Sequence, residues 1–355
     1  MTAPPTETAA GGPVEWARLD RVLAVRLDNL GDVVMVTPAL RALRAALRPG
    51  ARLDLLASPG GAALAPLLPW VDEVAPLRAV WQDAAGALPQ DPARELALVE
   101  RLRAYDAVVV FTSFAQSPHA VGYAAYLAGV PVRVGVSKEF GGSVLSHWLR
   151  APADEQHQTD RALALLAGVG VPAQGRGLEL AVPRDVRDRA AQVRRSAGLP
   201  DTYAVLAPGA SCPSRRYSPE LFAVVARDLG VPVAVVGTDE ERPLVQAVAA
   251  GTPGVVDLSG LLDVPGLVAT IADARVAVTN NSGGMHVADA VGTPVVALFA
   301  GTEDESQFAP RTVPATLLRV PTTCAPCRAF ACPYAHECLE IGPDVVVAAA
   351  RELVA

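Results

Sequence analysis

At 355 residues the chain is long enough for two ordinary domains, each with its own core. Its composition is 51% apolar and 19% charged, which excludes a disordered polymer, and the formal charge of −7 argues against a nucleic-acid partner. No apolar run reaches the roughly 18–20 residues of a membrane span, and MTAPPTETAAGGPVEW has no basic stretch ahead of an apolar core, so a cytoplasmic protein without a secretory signal is expected.

Taken in order, residues 1–18 are polar and rich in Pro, Thr, Ala and Gly, and are expected to be a disordered tail. Arg21–Arg26 reads as a first strand, 27–32 as a loop, and 33–47 as helical, with Thr37-Pro38 either opening a new turn or kinking it. Arg52–Ala57 is the next strand, and Tyr105–Phe111 a further buried one. This alternation of strand and helix predicts an α/β fold with parallel sheets. His119, Arg133 and His157 are each expected to be surface or satisfied core residues. The helix DVRDRAAQVRRSAG is polar enough to read as the junction between an N-terminal domain, 19–185, and a C-terminal domain, 200–342. The second domain opens with the strand Tyr203–Ala207 and a small-residue loop holding Ser211. Ser218 is a good N-cap and Pro219 a good first residue for the following helix. Residues 343–355 read as a terminal helix that could pack back on the N-terminal domain.

The stretch VAVTNNSGGMHVADAVGTPVVALF, 276–299, is a strand, a small-residue loop, a short helix and a strand. Gly283 and Gly284 let backbone amides approach a ligand, and the helix dipole points the same way. Asn281 and Ser282 add side-chain donors, and His286 lies in the first helical turn. The corner suits a diphosphate, although an ordinary capped turn would read much the same. Near the C-terminus, Cys324, Cys327, Cys332 and Cys338 place four cysteines within fifteen residues. In a cytoplasmic protein that density favours a metal over disulfides, but the spacing is no standard finger; a structural zinc and free thiols both remain open.

NNSGGMHVADAVGTPVVALF resembles the nucleotide-binding signature of family 9 glycosyltransferases, the ADP-heptose:lipopolysaccharide heptosyltransferase group. One departure is Asn281, where the family usually carries Asp. RLDNLGDVVMVTPALRALRAALRPGARLDLLA is similar to the family's N-terminal signature in order and spacing. The resemblance implies the GT-B architecture, two facing Rossmann-like domains with parallel sheets and a cleft between them. It further implies an inverting transferase that needs no cofactor for catalysis. Asp32 of the Gly31-Asp32 pair would be the base. Arg215 would replace the family's Lys on the sugar–diphosphate, since a guanidinium grips phosphate oxygens bidentately. Glu241 (or Glu240, the register being open by one) would bind the ribose, and Leu262 would pack against the base. Gly31, Ser211, Asn281, Ser282, Gly283, Gly284 and His286 would complete the donor site.

The partners implied are a nucleotide-diphosphate sugar, with ADP-heptose first, and a saccharide or lipid-linked saccharide acceptor, with peripheral membrane contact allowed. A non-catalytic nucleotide-sugar binder, a sugar-nucleotide epimerase and a transferase acting on a secondary metabolite stay open from the residues alone.

Overall fold

A computed structural model describes residues 8–83, 86–139 and 143–354. The chain divides into two compact units, Met1–Arg176 and Gly177–Ala355.

In the first unit the strands are β1 (Thr8–Ala10), β2 (Arg21–Arg26), β3 (Arg52–Ala57), β4 (Glu73–Pro76), β5 (Ala107–Val110), β6 (Val132–Ser137) and β7 (His147–Arg150). Its helices are α1 (Leu30–Met35), α2 (Thr37–Ala46), α3 (Pro59–Ala62), α4 (Ala93–Leu102), α5 (His119–Leu127) and α6 (Gln158–Gly168). The sheet order is β1-β7-β6-β5-β2-β3-β4, with every described neighbour parallel except the β1–β7 pair. Strands β2 and β5 are buried almost end to end, as expected where helices cover both faces of a parallel sheet. From β2 the chain steps outward through β3 and β4, then returns to place β5 on the other side of β2. The two exit loops of β2 and β5 therefore diverge, which leaves a crevice at the carboxyl ends of these strands.

In the second unit the strands are β8 (Ala204–Ala207), β9 (Val233–Val235), β10 (Val255–Asp257), β11 (Ala277–Asn280), β12 (Val295–Leu298) and β13 (Ala315–Leu318). The helices are α7 (Arg184–Ser196), α8 (Pro219–Asp228), α9 (Arg242–Ala249), α10 (Val264–Ala272), α11 (Gly283–Val291), α12 (Glu305–Phe308) and α13 (Pro343–Glu352). This sheet is wholly parallel, ordered β10-β9-β8-β11-β12-β13, and its switch point lies between β8 and β11. Ser218 caps α8 by accepting from the Leu221 amide at 3.3 Å, with Pro219 at its first position. Gly292, at φ 87°, supplies the left-handed residue that stops α11.

Four sequence expectations are corrected. The tail expected over 1–18 is partly built into the first unit: the Thr8–Ala10 backbone pairs with β7, and Trp16 is buried. The Trp16 indole donates to the Val169 carbonyl at 2.8 Å, so one large apolar anchor overrides a tail-like composition. The loop expected over 27–32 is helical from Leu30, where α1 begins; within 33–47 the Thr37-Pro38 step opens α2, as one of its two expected readings had it, after a break at Val36. The polar helix placed at a junction is α7 and belongs to the second unit. Its narrow apolar face, Val186 and Ala190, packs on Ala269 of α10, and Arg194 donates to Asp273 at 2.7 Å. The terminal helix, allowed a place on the N-terminal domain, instead joins the core of the second unit through Val346, Val347, Ala349 and Ala350.

Candidate active site

The exit loops of β8 and β11 meet at the switch point of the second sheet. Asn280, the last residue of β11, is fully buried and fastens them together. Its Oδ1 accepts from the Tyr217 amide at 3.0 Å, and its Nδ2 donates to the Pro208 carbonyl at 2.8 Å. Sequence reading passed over this residue; its partners lie 63 and 72 positions away. The adjacent Asn281 is also buried, and its Oδ1 accepts from the Ala300 amide at 3.1 Å, tying the end of β11 to the end of β12. Its carbonyl oxygen thus serves the scaffold with one of its two lone pairs.

Ser282 is the N-cap of α11, but its side chain makes no capping bond. The first amides of a nine-residue helix, those of Gly283 and Gly284, are therefore left without a side-chain acceptor, beside the positive end of the helix dipole. Gly284 is closely packed: a Cβ there would lie 3.3 Å from the Thr279 side chain, which would have to give by a few tenths of an ångström, and 3.5 Å from Ala207. His286 is buried in the same helix, and burial, reinforced by the charge of Arg215, lowers its pKa to about 4. Its imidazole is thus neutral at neutral pH.

Arg215 ends a single turn, Pro213–Arg215, whose Ser214 hydroxyl bonds the Ala329 carbonyl. Its Nε donates to Thr302 Oγ1 at 3.1 Å and its Nη2 pairs with the Glu303 carboxylate. Sequence reading assigned the Arg215 fork to a diphosphate; the structure also gives it two protein partners just beyond β12. Arg216 braces the Ser211 loop instead, donating to the Ala210 carbonyl at 2.9 Å, while Ser211 is exposed. Glu241, not Glu240, turns inward: its carboxylate accepts from the Thr238 amide at 3.0 Å, and a Cβ on Gly209 would strike it at 2.0 Å. Leu262 packs against the α7–α10 cluster, and the neighbouring Leu261 is the more exposed of the two.

In the first unit, Arg26 at the end of β2 is fully buried between two carboxylates, with Nε 2.9 Å from Asp28 and Nη2 2.8 Å from Asp32. Burial alone would lower the Arg26 pKa; the two aspartates outweigh it and raise it. Asp32 is the third residue of α1, next to the buried Gly31, and Asn29 and Asp32 cap each other reciprocally. The Asp32 carboxylate accepts from the Asn29 amide at 3.1 Å. Asp28 is the member that sequence reading left in the loop. Burial is the main cause raising its carboxyl pKa, with help from Asp32 and opposition from Arg26. His119 bonds Ser117 at 2.7 Å and lies 3.3 Å from the Glu139 carboxylate, and His157 caps α6 by accepting from the Thr159 amide at 3.2 Å. Arg133 is spent on the Val144 and Ser143 carbonyls at 2.7 and 3.0 Å.

The cysteine loop folds under the Arg215 wall. Cys327 donates its amide to Gly301 and Arg328 to Thr302, and the Cys338 carbonyl accepts from Val320. Burial raises the Cys338 thiol pKa, with further upward contributions from Cys332, Cys324 and Cys327. Yet among the described residues no three His, Cys, Asp or Glu side chains stand so as to hold a metal ion. The structural zinc and the free thiols that the sequence left open are not separated by this geometry; Cys324 and Cys327 are exposed. Elemental analysis and chelation separate the two readings of the cysteines: a structural metal predicts about one zinc per chain and a fall in Tm on chelation, whereas free thiols predict well under one metal per chain and an unchanged Tm.

Comparison with known proteins places this geometry in context. Residues 96–337 match the model of glycosyltransferase family 9 (heptosyltransferase). The chain is 25% identical over 287 residues to lipopolysaccharide heptosyltransferase 3 of Escherichia coli (strain K12), covering 77% of this chain and 80% of that protein. The glycosyl transferase family 9 structure from Veillonella parvula DSM 2008 is similar at a TM-score of 0.78 with 22% identity, covering 96% of this chain and 99% of that one. The ADP-heptose lps heptosyltransferase II of E. coli is similar at 0.74 with 22% identity, covering 94% and 98%. These likenesses show the fold to be the α/β GT-B class expected from the sequence. With the family model matching most of its length, the chain belongs to glycosyltransferase family 9 and is a glycosyltransferase.

Proposed function

We propose that the chain is an inverting transferase that moves heptose from ADP-heptose to a saccharide hydroxyl, in the cytoplasm or at its membrane face. The observation that carries this reading is the uncapped N-terminus of α11, with Ser282, Gly283 and Gly284 at the switch point of the second sheet and Arg215 held by Thr302 and Glu303 beyond the adjacent strand β12. The diphosphate would sit on those amides, with Glu241 toward the ribose and Arg215 toward the developing charge. In the first unit Asp32 would accept the acceptor's proton. The acceptor oxygen bonds to the anomeric carbon, the bond from that carbon to the diphosphate breaks, and ADP leaves with the electron pair. Both charge stabilisation and proton removal are assigned to side chains and amides, so no cofactor is required. Among the described residues no helix is long and apolar enough to cross a membrane.

Gly283→Asp tests the cradle. An acid in the first turn favours the helix itself, so folding should survive, while a carboxylate at the diphosphate position should weaken ADP binding by at least about tenfold by calorimetry. Unchanged ADP affinity in a folded variant would reduce the corner to an ordinary turn.

A further inference from the structure

Arg26 meets its two aspartates along different edges. Its Nη2 donates to Asp32 Oδ1 at 2.8 Å. Its Nε lies 2.9 Å from Asp28 Oδ2 but off the N–H axis, an ion pair without a directed hydrogen bond. A guanidinium facing a single carboxylate favours the fork, with Nε and Nη2 bonded to the two oxygens of that one partner. Here the fork is split between two partners, and Asp32 Oδ2 takes the Asn29 amide at 3.1 Å instead.

The split follows from how firmly Asp28 is held. Its Oδ1 accepts from Gln116 Nε2 and lies 3.4 Å from Gln82 Nε2. Gln116 is itself fixed, its Oε1 accepting from the Ser113 amide at 3.3 Å. The backbone carbonyl of Asp28 accepts from the Ser58 hydroxyl. Ser58, Gln82 and Gln116 follow β3, β4 and β5, so the loops after three strands set one carboxylate against the Nε edge. The Arg26 side chain is 2% exposed, that of Asp28 10% and that of Asp32 17%. The guanidinium therefore has no water to turn to, and Asp32 is the more open of its two partners.

We propose that Asp28 is a positioning residue for the base: by occupying the Nε edge of Arg26 it keeps the guanidinium from gripping Asp32 at both oxygens, which leaves Oδ2 able to take the acceptor's proton. The proposal rests on the transferase reading above and adds a residue to it. It is tested on the intact protein by ADP release from ADP-heptose, with heptose-deficient lipopolysaccharide as acceptor, and by ADP calorimetry. Asp28→Ala should lower kcat by about tenfold or more, because Arg26 then closes on Asp32 and misplaces the base, while acceptor KM and ADP affinity stay unchanged. Asp28→Leu fills the volume without an oxygen and should do the same, should the smaller residue lower Tm. Lysine has no fork, so in an Arg26→Lys background Asp28→Ala should cost little further turnover; a purely structural role for Asp28 would carry over undiminished. Unchanged kcat in both Asp28 variants, a matching change in acceptor KM or ADP affinity, or an equal loss in the Arg26→Lys background overturns the proposal. Failure of the transferase reading shows separately, as a wild-type protein that neither binds ADP nor releases it from ADP-heptose.

Discussion

Asp32→Asn should abolish most turnover, by roughly 10²–10⁴-fold for a lost general base, while ADP binds as in wild type. Asparagine is the better probe than alanine. Asp32 closes a reciprocal cap with Asn29 and pairs with the buried Arg26, so alanine would remove a helix cap and half of a buried ion pair together. Asparagine keeps an acceptor for the Asn29 amide, and Arg26 keeps Asp28 at 2.9 Å. A folded Asp32→Asn protein with near-normal turnover would assign the base elsewhere; Asp28, buried beside it with a raised pKa, is the next group to change. Comparing Asp28→Asn with Asp32→Asn at fixed acceptor separates the two, because only loss of the base should remove turnover on that scale while ADP binding stays unchanged.

The parts of this molecule legible in its sequence were those encoded locally. Val runs bounded by Gly or Pro gave the strands, Ser218-Pro219 gave the start of α8, and the Asn-Ser-Gly-Gly corner lies where the sheet reverses direction. What was missed depends on partners distant in sequence. Glu303 is 88 residues from Arg215, and no local pattern couples an acid beyond β12 to an arginine beyond β8. Asn280 and Asn281 look alike in sequence, yet one staples β11 to the β8 loop and the other to β12. The polarity of α7 hid a contact made by only two small apolar residues. The four cysteines stand close in sequence, but their spacing alone does not say whether they hold a metal, and among the described residues no three His, Cys, Asp or Glu side chains are grouped for one.

Arg215 should be the second large effect. Its guanidinium is held by Thr302 and Glu303, so the charge is already oriented before a ligand arrives. Such preorganised charge stabilises a leaving diphosphate without a reorganisation cost, and removing one such donor lowers kcat by roughly 10²–10³-fold. Arg215→Ala is expected to lose that much turnover and to weaken ADP binding as well. Arg215→Lys should recover only part, since an ammonium cannot hold Thr302 and a phosphate with one planar fork. Glu303 holds the guanidinium but also competes for it with any phosphate. Glu303→Gln keeps a side-chain oxygen for Arg215 and removes the competing charge, so ADP should bind more tightly than in wild type. The buried His286, neutral at neutral pH, cannot replace the missing cation in Arg215→Ala, and lowering the pH to 6 should not rescue that variant. The pair of measurements is decisive in combination. If Arg215→Ala leaves both turnover and ADP affinity intact, the Arg215–Glu303 pair is a structural clasp over the cysteine loop, and the diphosphate must rest on the α11 amides alone.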